Sequence, residues 1–161
     1  MDKLTTSDRL IFIGGIVYLI AMFLPWYGID ENTGFANISY NNNGWDYFLG
    51  GWLPFILIAI LAAHVAVTRF SPDTNIPDLP IPWSQGYLVA GVVAAVIVIL
   101  RLLIGSDDVA GFDTGVDLDR KFGLFIAVIA AVCVAAGSSM KSKEDDALPP
   151  PAGGDTGSAP F

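Results

Sequence analysis

Apolar residues are grouped into four long runs along the chain, and polar segments separate the runs. They occupy residues 10–27, 48–68, 87–105 and 122–137, and none of them contains Asp or Glu. A helix needs about 20 apolar residues to span the hydrocarbon core of a bilayer, because each residue adds about 1.5 Å to its length. The pattern therefore predicts an all-α integral membrane protein whose four transmembrane helices form an antiparallel bundle.

Lys and Arg residues near the ends of these runs predict the orientation, because such residues concentrate on the cytoplasmic side of a membrane. Basic residues precede the first run, follow the second and follow the fourth: Lys3, Arg9, Arg69, Lys141 and Lys143. The loop at 28–47 has no Lys or Arg. Arg120 and Lys121 oppose this assignment, but pairing with the Asp residues that precede them explains their position. We therefore expect both termini on the cytoplasmic side.

The first outer loop, 28–47, is rich in Asn and aromatic residues. Its Asn43-Gly44 pair is a dipeptide favoured in two-residue hairpin turns. The loop is compatible with a small β-hairpin packed on the helix ends, and equally with an irregular connection. Aromatic side chains often anchor protein interfaces. Four of them are therefore candidates for binding a partner: Phe35, Tyr40, Trp45 and Tyr47.

The chain changes character after Met140. Residues 141–161 begin with six charged or Ser residues, continue with consecutive prolines and end in Gly, Ser and Pro. Such a composition cannot bury a hydrophobic core. We therefore predict a transmembrane domain at 1–140 and a disordered cytoplasmic tail at 141–161.

Composition excludes several classes of protein. The 161 residues are 53% hydrophobic and only 15% charged, whereas soluble domains have about a quarter charged residues. A net charge of −8 argues against a nucleic-acid partner. The single cysteine, Cys133, cannot form an intramolecular disulfide and cannot build a zinc site alone. The lipid bilayer is the predicted environment.

Catalytic and metal-binding motifs are not recognisable in the sequence. It has one histidine, no phosphate-binding glycine loop and no nucleophile motif. We therefore predict no catalytic residue, no cofactor and no enzymatic activity. The acidic second outer loop, 106–119, suggests a calcium site, but its Asp spacing differs from that of an EF-hand. A solvated acidic loop is favoured, and no metal site is predicted.

Small residues at four-residue intervals indicate where transmembrane helices pack closely. Such residues occur in the third and fourth runs: Gly86, Ala90, Ala94, Ala127, Ala131 and Ala135. We therefore expect the third and fourth spans to form the tightest pair.

Two ionisable residues within the runs, His64 and Arg101, are candidates for a functional role, because such residues are rare inside membranes. At 1.5 Å per residue, His64 lies about 24 Å from the outer end of the second span, and Arg101 lies about 21 Å from the inner end of the third. Because the two spans run in opposite directions, these residues are near opposite faces of the membrane. We interpret His64 as interfacial. For Arg101 we expect snorkelling toward water or pairing with Asp107 or Asp108.

Four short motifs resemble those of small four-span membrane proteins of actinobacteria. They are Ser7-Asp8-Arg9-Leu10, Phe23-Leu24-Pro25-Trp26-Tyr27, Gly44-Trp45-Asp46 and Phe122-Gly123-Leu124-Phe125. The resemblance covers about the first 140 residues. It implies a bacterial plasma-membrane location and no particular activity.

These observations predict a non-enzymatic membrane protein that acts by association, as an accessory subunit of a complex or as a homo-oligomer. The alternative is a small transporter or channel component, in which Arg101 would select anions near the outer mouth.

Overall fold

The computed structural model describes residues 4–32, 37–71, 82–105 and 119–146. Its long helices are α1 (Thr6–Phe23), α2 (Leu53–Phe70), α3 (Trp83–Ile104) and α4 (Phe122–Asp146). All are long and apolar enough to cross a membrane, α2 when taken together with the turn before it as Phe48–Phe70. The predicted all-α integral membrane protein with four transmembrane helices is confirmed.

Local sequence explains both ends of α1. Thr5 and Asp8 form a capping box, in which the Thr5 hydroxyl accepts from the Asp8 amide and the Asp8 carboxylate accepts from the Thr5 amide. The helix therefore begins at Thr6, earlier than the predicted span. Pro25, which lacks an amide hydrogen, begins a strand after the helix. Tyr27, predicted as the end of the span, is consequently a strand residue.

The fourth helix is longer than its predicted span. It continues to Asp146, so residues 141–146 are helical, although we predicted them as the start of a disordered tail. Contacts with α1 stabilise this extension: Lys141 Nζ lies 3.2 Å from the Asp8 carboxylate, and the Ser7 hydroxyl donates to Glu144 at 2.8 Å. The rest of the predicted tail, 147–161, lies outside the described residues.

A small antiparallel sheet lies at one end of the bundle, which we call the sheet end. Its strands are β1 (Pro25–Asn32), β2 (Asn37–Asn43) and β3 (Asp119–Arg120), with β1 in the middle. The hairpin alternative for the first loop is therefore correct. The connection between β1 and β2 lies at 33–36, however, and not at Asn43-Gly44.

Asn43 has a different role from the one predicted. The Asn43 side-chain oxygen accepts from the Trp45 backbone amide at 3.0 Å, and the Asn43 backbone amide donates to the Asp46 carboxylate at 2.8 Å. These bonds cap a 3-10 turn at Gly44–Asp46. The predicted Asn-Gly hairpin turn is wrong because the Asn43 side chain satisfies amides of a helical turn instead.

The bundle is organised around α4. This helix packs most extensively against α1 and almost as extensively against α3, while α2 contacts both α1 and α3 over smaller surfaces. The contact that we predicted between the third and fourth spans is therefore present, and α1 packs on α4 to about the same extent. At Gly14, α1 approaches α4 so closely that a Cβ on this residue would lie 2.7 Å from Val134 Cγ2 and 3.0 Å from the Ala130 carbonyl oxygen.

The predicted small-residue faces are only partly in contact. Ala94, Ala127 and Ala131 are buried, whereas Ala90 and Ala135 are half-buried. A Cβ on Gly86 would meet no atom within 4 Å, but a Cβ on Gly91 would lie 2.6 Å from the Ser138 hydroxyl. Gly91, and not Gly86, therefore marks the close approach of α3 to α4.

Candidate functional site

A buried arginine lies at the sheet end of the bundle. Arg101 is in the last turn of α3 and is only 8% exposed. Its guanidinium carbon lies 4.2 Å from the centre of the Tyr47 ring and 5.2 Å from that of Tyr27. Cation–π attraction stabilises the charge in this position. We call the group formed by Arg101, Tyr27, Tyr47 and Gly50 the Arg101 pocket.

Separate elements position the members of the Arg101 pocket. Tyr27 lies in β1, and its hydroxyl donates to the Arg101 carbonyl oxygen at 2.7 Å. Tyr47 precedes a π-helical turn at Phe48–Trp52, which contains Gly50. A Cβ on Gly50 would lie 3.0 Å from Cγ and Cδ of Arg101. A side chain larger than hydrogen at this position would therefore crowd the arginine.

The guanidinium of Arg101 does not extend into water, contrary to the snorkelling that we expected. Tyr27, Tyr47 and the π-helical turn cover it. Its Nε and Nη2 atoms are buried and have no hydrogen-bond acceptor within the described ranges. The alternative partners, Asp107 and Asp108, lie outside those ranges. Arg101 is thus a buried cation with two donors unused by the described part of the protein.

Tyr47 does not neutralise this cation. Burial raises the pKa of the Tyr47 phenol above its ordinary value of 10.0, although Asn42 and Arg101 oppose the shift. Tyr47 therefore faces Arg101 as a neutral ring at physiological pH. Neutral aromatic rings lower the cost of burying a guanidinium. A hydrogen bond from Arg101 to the Tyr47 hydroxyl also opposes the rise in the Tyr47 pKa, but the Nε and Nη2 atoms of Arg101 have no acceptor in the described ranges.

The four aromatic residues predicted to bind a partner are in different environments. Tyr47 is only 4% exposed and belongs to the core, so it cannot contribute an outer surface. Trp45 is half-buried. The backbone of Tyr40 lies in β2, but its side chain and all of Phe35 are outside the described part of the structure.

An aromatic cluster surrounds Trp45. The Trp45 ring contacts the rings of Phe23, Trp52 and Phe55 at centroid distances of 5.3, 4.9 and 5.6 Å. Trp52 Nε1 also donates to the Trp45 carbonyl oxygen at 3.1 Å. Phe23 and Trp52 are 66% and 38% exposed.

His64 lies near the other end of the bundle, which we call the terminal end because α1 begins and α4 ends there. Its ring stacks on Trp83 with 3.6 Å between centroids, and its Nδ1 atom forms a hydrogen bond with the Tyr87 hydroxyl. The ring thus joins the later part of α2 to the start of α3. Its neighbours indicate a structural role at this position.

Asp8, which we did not predict as a site residue, is a buried carboxylate at the terminal end. Arg69 Nε donates to it at 2.7 Å, and Lys141 Nζ lies 3.2 Å from its other oxygen. These contacts connect α1, α2 and α4. The Thr5-x-x-Asp8 capping pattern was the available signal, but the predicted span began at residue 10 and so excluded Asp8.

Comparisons with known proteins add no assignment, because neither a protein-family model nor a curated protein matches this sequence. Within the described ranges, no group of three or more His, Cys, Asp or Glu residues is placed to hold a metal ion. Positions 106–118 of the acidic loop considered for calcium lie outside those ranges. Its last residue, Asp119, is described and is exposed. Arg101, a buried cation with two donors that lack an acceptor in the described ranges, is the candidate ligand-binding residue.

Proposed function

We propose that this protein acts by association within a bacterial plasma membrane, as a non-enzymatic accessory subunit of a membrane complex with both termini in the cytoplasm. The main support is the outward face of α2. This helix buries a narrow stripe against the rest of the bundle: Pro54, Ile58, Leu61 and Val65. Two small residues, Ala59 and Ala63, face outward and are exposed.

An outward pair of small residues lets another helix approach α2 closely, which is how transmembrane helices associate in lipid. The outward face of α3 is different. The exposed positions of α3 from Leu88 onward are all Leu, Val or Ile, which suit contact with lipid chains. Phe55 precedes Ala59 by four residues, so the aromatic cluster around Trp45 extends the same face toward the sheet end.

Purification of the tagged protein from its native membrane in a mild detergent tests this proposal. We expect a stoichiometric partner that co-purifies with the wild-type chain. Replacing both alanines, Ala59→Ile with Ala63→Ile, should abolish co-purification because the larger side chains separate the helices. Ala136→Ile is a matched control, since Ala136 is an exposed alanine on α4. It should retain the partner.

The absolute mass of the complex separates the two forms of association. A multiple of the chain mass that depends on Ala59 and Ala63 would indicate a homo-oligomer rather than an accessory subunit. A monomer with no partner, or equal behaviour of the α2 variant and the Ala136→Ile control, would contradict association through α2.

A second candidate function is transport, as a small transporter or channel component. The burial of Arg101 favours it, since ionisable residues inside transmembrane segments often mark ion paths. In liposomes containing the purified protein, this function requires an anion flux that the Arg101→Gln variant loses. Absence of flux from wild-type liposomes would contradict it.

A further inference from the structure

We propose that Arg101 binds an oxyanion, the phosphate or carboxylate group of a ligand from outside the chain, through its Nε and Nη2 atoms. This inference concerns binding alone and depends neither on association nor on transport. It rests on the burial of the guanidinium and on which of its donors lack acceptors.

The two unused donors of Arg101 are on the same edge of the guanidinium. Nε–H and the adjacent Nη2–H point in parallel and form the fork that recognises two oxygen atoms at once. Carboxylates and phosphates have this pair of oxygens at the matching spacing. A single orphan nitrogen would fit a water molecule equally well, but two on one edge favour a bidentate oxyanion.

Arg120 provides an internal comparison. Its Nε and Nη2 atoms donate to the carbonyl oxygens of Leu102 and Leu103 at 2.7 and 3.3 Å. The corresponding edge of Arg120 is therefore satisfied by the last turn of α3. Arg101 belongs to the same turn, but the equivalent edge of its side chain has no such acceptor in the described ranges.

The charge balance around Arg101 also favours an anion. A buried guanidinium is stable when an opposite charge and hydrogen-bond acceptors compensate for lost water. Tyr27 and Tyr47 contribute uncharged rings, and the end of α3 contributes only a partial negative charge. Arg120 and Lys121 lie at the same end of the bundle, and so do the carboxylates of Asp46 and Asp119. What favours an anion is therefore the buried guanidinium of Arg101 itself, whose Nε and Nη2 atoms have no acceptor in the described ranges.

The position of Arg101 is compatible with two sources of the oxyanion. The last turn of α3 lies at the sheet end, where a transmembrane helix reaches the level of lipid headgroups. A phospholipid phosphate could therefore enter from the membrane, and a free phosphate or carboxylate from water. Both have the same chemistry at the guanidinium, so an experiment must separate them.

The test uses the full chain purified in a maltoside detergent. Inorganic phosphate and acetate are titrated while the unfolding temperature is followed, and native mass spectrometry measures phospholipid retained from the membrane. Arg101→Lys preserves the charge but removes the fork. Arg120→Lys is the matched control, because its donors already bind carbonyl oxygens. Arg101→Gln replaces Arg101→Lys if the latter does not elute as a folded protein.

We expect an oxyanion to bind the wild type and Arg120→Lys with similar affinity. Its affinity for Arg101→Lys should be lower by a factor of about ten or more. Stabilisation by phosphate or acetate would identify a free anion, whereas retained phospholipid alone would identify a headgroup. Absence of binding to the wild type, or equal binding to Arg101→Lys, would overturn the proposal. Binding that appears only after Asp107→Asn and Asp108→Asn would also overturn it, because the chain's own loop would then occupy the fork.

Discussion

The Tyr27 hydroxyl donates a hydrogen bond to the carbonyl oxygen of Arg101 at 2.7 Å. This bond joins the first strand to the last turn of α3, although 74 positions separate the two residues. The same carbonyl also accepts from the Gly105 amide at 3.2 Å, so Tyr27 is its second donor. The bond also holds the Tyr27 ring beside the guanidinium of Arg101.

Replacing Tyr27 with Phe tests that bond while leaving the ring in place. We expect Tyr27→Phe to lower the free energy of unfolding by about 1 kcal/mol, because the buried Arg101 carbonyl loses one of its two donors. Unfolding in a mixed-micelle denaturant series measures the change. Equal stability of the variant and the wild type would show that the Gly105 amide alone satisfies the Arg101 carbonyl.

The carboxylate of Asp8 should be the strongest polar contribution at the terminal end. Asp8→Asn removes the charge that Arg69 and Lys141 share, and we expect a loss of about 2–3 kcal/mol in the free energy of unfolding. The matched control is Glu144→Gln, since Glu144 is exposed and its bond to Ser7 is only partly buried. A control effect as large as that of Asp8→Asn would contradict this ranking.

Two glycine substitutions distinguish the observed helix packing from the predicted packing. Gly14→Ala should destabilise the bundle by about 1–3 kcal/mol, because its Cβ would lie 2.7 Å from Val134 Cγ2 and 3.0 Å from the Ala130 carbonyl oxygen. Gly86→Ala should be neutral or slightly stabilising, because alanine favours helix and nothing lies within 4 Å. Thermal unfolding of both variants in the same detergent measures the difference. A reversed order would show that α1 and α4 are farther apart.

Alkaline pH should weaken the Arg101 pocket through Tyr47. Its pKa is raised in the folded protein above the ordinary value of 10.0, so the folded state holds this proton more tightly than the unfolded state. The resulting stability is present in full below pH 10 and decreases as the pH rises toward the folded pKa. Tyr47→Phe should therefore lose less stability than the wild type between neutral pH and pH values above 10. Identical alkaline profiles would exclude this contribution.

The four spans and the location of the sheet-end loop followed from the sequence, because hydrophobicity and length are properties of each segment by itself. Helix ends were less predictable. α1 begins with the Thr5 cap, and α4 continues to Asp146 because its last turns contact Ser7 and Asp8 on another helix. Such contacts cannot be read from the composition of the segment, which for 141–161 resembles that of a disordered tail.

Helix faces depended on the tertiary structure for a physical reason. Lipid and the bundle interior are both apolar, so the distribution of apolar residues does not reveal which side of a transmembrane helix is buried. Small-residue spacing indicated Gly86, whereas the close approach occurs at Gly91. The sequence by itself placed Arg101 in the last part of the third span, near one predicted membrane face. Only the tertiary structure brought Tyr27, Tyr47 and Gly50 around it, because packing between elements distant along the chain decides which side chains surround a buried charge.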